Sequence, residues 1–115
     1  MSKSDNKLRN GDAATDRQDL YSGLIRIHIL HHACEEPIFG LGMIEELHRH
    51  GYRLSPGTLY PLLHGLERKG LLRSRHVRAG RWTRRQYVAT AAGRAAMRAA
   101  KKRVRELFGE IFAAR

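Results

Sequence analysis

The sequence predicts a mainly α-helical fold with one small β-hairpin, and two observations carry that prediction. Four segments repeat apolar residues at three- and four-residue spacing, as the buried faces of helices do. Between the third and the fourth, two short alternating runs flank Gly80, which is typical of a hairpin with a glycine at its tip. The resulting order is that of a winged helix-turn-helix followed by a C-terminal dimerisation helix, with no repeat and no second domain.

The first predicted helix spans Leu20–Cys34 and follows an N-terminal arm, residues 1–17, whose polar composition predicts disorder. The inward face is predicted from its spacing to consist of Leu20, Leu24, Ile27, Leu30 and Cys34, widened by Ile25 and Ile29. Glu35 and Glu36 end the helix, because Pro37 disfavours helical backbone at the residue before it.

The second and third predicted helices form the helix-turn-helix. The second spans Gly40–His50, stops at Gly51 and is expected to bury Leu41, Ile44 and Leu47. The third has Ser55 as N-cap, Pro56 in its first turn, Gly70 as its stop, and a buried stripe of Leu59, Leu62, Leu63 and Leu66. Pro61 lies inside it, and its missing N–H predicts either an irregular first turn or a start near Thr58.

Two strands and a last helix complete the predicted fold. Leu71–Val77 and Trp82–Thr90 are the predicted strands around Arg78-Ala-Gly-Arg81, so the winged helix-turn-helix domain covers residues 18–90. Thr90 caps a helix that runs to about Ala113 within the dimerisation segment, residues 91–115. Its heptad seam is Met97, Ala100, Val104, Leu107 and Ile111, broadened by Phe108 and Phe112. Such a seam would be a liability if exposed, so we predict a homodimer whose interface the first helix helps to bury.

The positive charge of the chain is concentrated in one block. The net charge is +11, yet residues 1–66 carry seven basic and eight acidic residues. Residues 68–105 carry fourteen Lys and Arg and no Asp or Glu. A concentrated basic block predicts a polyanionic partner, here double-stranded DNA. Because a two-fold dimer presents two equal surfaces, we predict a pseudo-palindromic operator.

The third helix and the hairpin supply the candidate DNA contacts. Small and hydrogen-bonding groups near the start of a helix suit entry into a major groove, where Ser55, Thr58 and Tyr60 are candidates for backbone or base-edge contacts. The remaining candidates on this helix are Gly57, His64 and Arg68. On the hairpin, the tip residues Arg78 and Arg81 suit the adjacent minor groove, with Arg84 behind them. The alternative is a charged, solvated edge that prevents aggregation. Trp82 is expected to stack on sugar, line a ligand pocket or pack against the helices.

Several functional classes are excluded or disfavoured by the sequence. No stretch approaches the roughly 18 apolar residues of a membrane span, and the polar N-terminus does not resemble a signal peptide. The single cysteine, Cys34, is expected to be a packing residue in a reducing cytoplasm. There is no phosphate-binding loop, no HExxH and no nucleophile with a base, and Glu45-Glu46 is typical of a solvated helix face. We therefore predict neither an enzyme nor a cofactor.

Two alternatives to a sequence-specific regulator stay open at this point. His28 and His32 are four residues apart on one helix and could share a metal with Cys34 or Glu35, as in a metal-responsive regulator. The spacing matches no strong ligand signature, so no metal ligand is assigned. The second alternative is a nonspecific architectural or RNA-binding protein, because phosphate contacts give affinity without discrimination.

The chain resembles a known family over roughly residues 20–105. The residues that carry the resemblance are Ile29-Leu30, Pro37-Ile-Phe-Gly40, Glu46-Leu47, Gly51-Tyr52, Ser55-Pro-Gly-Thr-Leu-Tyr-Pro-Leu-Leu63, Leu66-Glu67, Gly70-Leu71-Leu72, Tyr87 and Thr90-Ala-Ala-Gly93. Through them the chain resembles the PadR-type winged-helix transcriptional regulators, and the block from Ser55 to Pro61 is quite specific.

The resemblance implies a dimeric bacterial regulator, usually a repressor, with its recognition helix at Ser55–Lys69 and its wing at Arg73–Tyr87. The single helix after the wing is similar to that of the short members, which dimerise through it. Family members often respond to small, frequently aromatic or hydrophobic ligands near the dimer interface, so the resemblance implies a small-molecule effector there. Some short members stack drugs on a tryptophan of the last helix; this one has none, and Leu41 stands where relatives often have tyrosine.

Overall fold

The computed structural model describes residues 13–114, with side chains from residue 19 onward. The elements, in chain order, are α1 (Ala13–Glu35), β1 (Ile38–Phe39), α2 (Gly40–Arg49), α3 (Pro56–Arg68), β2 (Leu72–Ala79), β3 (Trp82–Ala89) and α4 (Ala91–Ile111). This helical chain with a small antiparallel sheet confirms the predicted mainly α-helical fold with a β-hairpin; the dimerisation role of the last helix stays a prediction. Residues 1–12 of the predicted arm lie outside the described residues, but residues 13–17 belong to α1, which begins seven residues before Leu20. Ala13, Ala14, Arg17 and Gln18 have high helix propensity, so this stretch can extend the helix although it has no apolar stripe.

The sheet contains a strand that the sequence did not predict. Strand β1 pairs with β3, opposite Tyr87 and Gln86, so that the sheet order is β1-β3-β2. Two residues are too few to show an alternating pattern. Pro37 keeps the chain out of helix before this strand, and extended backbone at Phe39 leads directly into α2. Strand β1 therefore fixes the start of the helix-turn-helix to the wing.

The hairpin turn is shorter than the sequence predicted. Ala79 pairs with Trp82, so the turn consists of Gly80 and Arg81 alone. The φ angle of Gly80 is +64°, a conformation that favours glycine and matches the twist of a two-residue turn. Arg78, predicted at the tip, lies in β2 opposite Thr83. Among the candidate contacts of the wing, Arg81 is thus the residue in the turn.

The core lies where α1, α2 and α3 meet the inner face of the sheet. The stripe predicted for α3 is confirmed, with Leu59, Leu63 and Leu66 buried. The stripes predicted for the first two helices are partly wrong. The buried residues there are Ile25, Ile29, Leu30 and Ala33 of α1 and Met43 and Leu47 of α2. Leu20, Leu24 and Leu41 are exposed, because each helix has apolar residues on more than one face and the sheet covers only one of them.

Helix α3 runs without interruption through Pro61. It begins at Pro56, and the amides of Thr58 and Leu59 both donate to the Ser55 carbonyl, at 3.0 and 2.9 Å. The position of the predicted N-cap is therefore correct, and the start near Thr58 is not. The Ser55 side chain accepts no capping hydrogen bond; its hydroxyl donates to the Thr58 hydroxyl at 3.4 Å. First-turn amides are thus left without a capping side chain.

Thr90 lies between β3 and α4 and binds the chain that links α3 to β2. Its hydroxyl accepts from the Gly93 amide at 3.0 Å, which confirms the predicted cap, and donates to the Gly70 carbonyl at 2.6 Å. Its own amide donates to the Leu71 carbonyl at 3.1 Å. Gly93 is buried against the same carbonyl, so closely that a Cβ atom there would clash with the backbone oxygen. The start of α4 is therefore packed directly on the chain that links α3 to β2.

We expect Gly93→Ala to lower the free energy of unfolding by about 2–3 kcal/mol, because the added methyl group has a rigid backbone oxygen as its neighbour. Gly109→Ala is the matched control, since it lies in the same helix with nothing near its Cβ position. It should gain about 1 kcal/mol from helix propensity. Urea denaturation at one fixed protein concentration measures both. Equal stability of the two variants would contradict the close packing at Gly93.

Candidate nucleic-acid interface

The outward face of α3 is small and polar near its beginning. Ser55, Gly57, His64 and Arg68 are exposed, and Thr58 is half-buried. The Cβ position of Gly57 meets only the Ser55 hydroxyl, at 3.7 Å. A helix start with short side chains and no side-chain cap can approach a phosphate or a base edge closely.

Tyr60 lies beside His64 at the edge of this face, and its ring is directed toward α2. Its ring packs over Gly40 at the start of α2, and a Cβ atom at Gly40 would overlap the Tyr60 hydroxyl. The side chain is half-buried against the core, and its ring centroid is 6.3 Å from that of His64. Glycine at residue 40 is therefore what lets α2 and α3 approach each other, and Tyr60 sets their spacing. Its predicted DNA contact stays a prediction.

Glu67 holds the wing against α3. Its carboxylate accepts two hydrogen bonds from Ser74 of β2, from the amide at 3.0 Å and from the hydroxyl at 2.7 Å. Glu67 directly precedes the acid-free block in the sequence. Both hydrogen bonds go to the same oxygen of Glu67. The carboxylate that directly precedes the basic block therefore positions strand β2 of the wing.

The wing carries six exposed arginines on its two strands and turn: Arg73, Arg75, Arg78, Arg81, Arg84 and Arg85. Two of them are held in place. Arg75 donates to the Gln86 side chain at 2.8 Å, and the guanidinium of Arg84 lies 3.8 Å from the centroid of the Phe39 ring. Within the part of the chain that the structure describes, Arg78 and Arg81 have neither an acidic partner nor a side-chain hydrogen bond. Their charge is therefore available to an external anion.

Trp82 stands at the end of the wing, not against the helices. It is 75% exposed and pairs across the turn with Ala79. By strand alternation, Trp82 and Arg84 share one face of the hairpin, whereas Arg78 and Arg85 share the other. Near its tip the wing thus presents Trp82 beside Arg84 on one face and Arg78 with Arg85 on the other.

The predicted seam of α4 divides into two parts. Met97 and Ala100 are half-buried, and Met97 packs against the core of its own chain. Beyond them the seam is exposed: Val104, Leu107, Phe108, Ile111 and Phe112 are between 40% and 68% accessible. On α1, Leu20, Tyr21 and Leu24 form a second exposed apolar surface. Among the residues that the structure describes, these two apolar surfaces are exposed and lie outside the predicted DNA contacts.

A cluster of imidazoles lies between α1 and the end of α2. It brings together His28, His32, Glu46 and His50, with His50 Nε2 at 2.9 Å and His32 Nε2 at 3.3 Å from the same Glu46 oxygen. Burial and the neighbouring His32 and His50 lower the pKa of His28. Hydrogen bonds from Arg49 and His50 lower the pKa of Glu46. Glu46 is half-buried here. The solvated helix face expected from the sequence is therefore wrong for this residue.

The order of elements, the helix-turn-helix of α2 and α3 and the basic two-stranded wing define a winged-helix DNA-binding protein. The chain belongs to the Transcriptional regulator PadR-like family, whose model matches residues 29–99. It is 49% identical, over 76% of its own length and 81% of the other, to the transcriptional regulator Rv3488 of Mycobacterium tuberculosis. Membership of a family of transcriptional regulators confirms the prediction that the chain is not an enzyme.

Solved structures share this fold. A PadR family transcriptional regulator from Eggerthella lenta superposes with a TM-score of 0.73 and 25% identity, over 93% of this chain and 97% of that one. A PadR-like transcription factor from Bacteroides fragilis gives 0.72 and 23%, over 84% and 95%. None of the helices in the described part of the chain combines the length and apolar character that a bilayer crossing requires.

Proposed function

We propose that this PadR-family regulator is a sequence-specific repressor that binds a pseudo-palindromic operator as a homodimer and is released by a small-molecule effector. The observation that carries the proposal is the placement of the acid-free basic block. It begins at the end of α3, continues over the whole wing, and adjoins an acid that is already bound to Ser74. Two neighbouring elements that reach different grooves of one duplex thus carry the same charge.

In this proposal α3 reads the major groove and the wing holds the backbone. Ser55, Gly57 and Thr58 lie where the helix first meets the DNA, and His64 and Arg68 extend toward flanking phosphates. Tyr60 acts mainly through Gly40, as the spacer that orients α3. Arg78 and Arg81 contact the adjacent minor groove and its phosphates, whereas Arg84 is held closer to the domain by Phe39.

The exposed apolar surfaces support the dimer. The outer part of the α4 seam contains Val104, Leu107, Phe108 and Ile111, and the rings of Phe108 and Phe112 lie 4.5 Å apart. Burying such side chains contributes roughly 1.5–3 kcal/mol each. We infer that a second copy covers this seam, together with the exposed leucines of α1, while Met97 and Ala100 link the seam to the domain.

A recess between α1 and α4 supports an effector site. Its volume is about 260 Å³, and its lining includes Met97, the acidic Glu35 and three cationic side chains, Arg94, Arg98 and Lys101. Since α4 is also the proposed dimer helix, a ligand in this recess would touch the element that sets the distance between the two α3 helices. Three cations against one carboxylate in this lining favour an effector that carries a negative charge such as a carboxylate.

The proposal is tested by titrating the protein, at physiological salt, onto duplex DNA from upstream of its own coding region. The affinity is compared with that for a scrambled duplex of the same length. Specific binding should exceed nonspecific binding by roughly a thousandfold or more. Upstream DNA is the first choice because a repressor often regulates its own synthesis. A basic surface that only grips phosphate would bind both duplexes equally and lose both together as salt rises.

Substitutions on the wing and on α3 should have different effects. Arg81→Ala should weaken binding to every sequence and reduce the slope of log affinity against log salt by about 0.9, because one phosphate contact is lost. Thr58→Ala should leave the slope unchanged and relax the preference among sequences. Lys102→Ala on α4 removes the same charge away from the interface and serves as the control. If Lys102→Ala and Arg81→Ala gave the same loss, net charge rather than the wing would explain binding.

The dimer seam is tested by the double substitution Leu107→Glu and Ile111→Glu. Two carboxylates in an apolar interface should convert dimers to monomers and lower operator affinity, which sedimentation and titration measure. Lys102→Glu is the matched control, because it changes the net charge by the same amount on the opposite face of α4. Persistent dimers in the double variant would place the interface elsewhere.

A further inference from the structure

The imidazole cluster between α1 and α2 has the composition of a metal site. His28, Glu46 and His50 each offer one ligand atom, and these three atoms all lie within 4.8 Å of one another. Two imidazole nitrogens and one carboxylate oxygen are a ligand set that borderline divalent metals favour. Ligand atoms in a tetrahedral zinc site lie roughly 3.4 Å apart, given bonds of about 2.0–2.2 Å. Rotation of half-exposed side chains is enough to close that difference.

The surroundings of the three residues support this arrangement. Arg49 binds one oxygen of Glu46, which leaves the other oxygen directed toward the histidines. His32 adds a fourth nitrogen, 3.3 Å from that same oxygen, and its ring stacks on His28 at 5.1 Å between centroids. The ring of Tyr52 covers the edge of His28 at 6.2 Å. A positioned carboxylate and an aromatic cover are the outer features that metal sites use to orient their ligands.

We propose that His28, Glu46 and His50 bind one divalent transition metal of the zinc type, with His32 as an adjacent fourth group. The sequence brought together only His28 and His32, and paired them with Cys34 or Glu35. The fold replaces those partners with residues from the end of α2. A metal here would join α1 to His50, which directly precedes the turn from α2 to α3. It would therefore fix the helix-turn-helix to α1, the helix that also carries Leu20 and Leu24.

The proposal is independent of operator binding and is tested on tag-free full-length protein. Zn²⁺ titration by calorimetry should give one metal per chain, and the thermal midpoint should rise with Zn²⁺ concentration because only the folded state has the site. His50→Ala and Glu46→Gln should each lower the affinity by a hundredfold or more. Arg49 orients Glu46 without being a ligand itself, and loss of such a partner lowers metal affinity by about 10–100-fold. Arg49→Ala should therefore lower the Zn²⁺ affinity within that range. Far-UV circular dichroism of the metal-free variants checks the fold.

The controls separate this site from binding by surface histidines. His31→Ala removes the neighbour of His32 on an exposed side of α1, and His48→Ala removes an exposed histidine of α2; both should bind Zn²⁺ like the parent chain. Cys34→Ser tests the arrangement that the sequence alone indicated. Absence of stoichiometric Zn²⁺ binding would overturn the proposal. So would retention of full affinity in folded His50→Ala, or its loss in Cys34→Ser.

Discussion

At the start of α4, one hydroxyl group connects the chain just after α3 to the start of the helix proposed for dimerisation. Thr90 donates to the Gly70 carbonyl and accepts from the Gly93 amide, while Gly93 packs on the Leu71 carbonyl without room for a side chain. These contacts leave α4 little freedom to pivot on the domain. In a two-fold dimer the positions of the two α3 helices therefore follow from how the α4 helices pair. The spacing between the half-sites of the proposed operator would then follow from the geometry of this junction.

A second set of contacts fixes the wing in the same way. Glu67 binds Ser74, β1 pairs with β3, and Phe39 lies under the Arg84 guanidinium. Each contact joins the helix-turn-helix to the hairpin. The cationic residues left over, Arg78 and Arg81, lie at the far end of a hairpin whose base is held. These two positive charges are thus carried on a hairpin that is already held in place. Less conformational entropy is lost when such an element binds an anionic partner than when a flexible loop does.

Much of the fold was predictable because local signals mark its boundaries. Ser55 and Thr90 fix two helix starts, Gly51 and Gly70 have positive φ at two helix ends, and the leucines of α3 match a single buried stripe. Strand β1 and the buried side of α1 were not predictable, since two residues show no periodicity and α1 is apolar on several faces. The imidazole cluster is a tertiary feature. Sequence spacing shows His28 beside His32, but only the packing of α1 on α2 adds Glu46 and His50.

The position of Trp82 has an optical consequence. It is the single tryptophan of the chain and is 75% exposed at the end of the wing. Its indole fluorescence in the free protein is then that of a ring surrounded by water, and any partner that covers the wing changes that environment. Emission from the unlabelled protein therefore reports on one end of one hairpin, and separates contact at the wing from events at α4 or at the imidazole cluster.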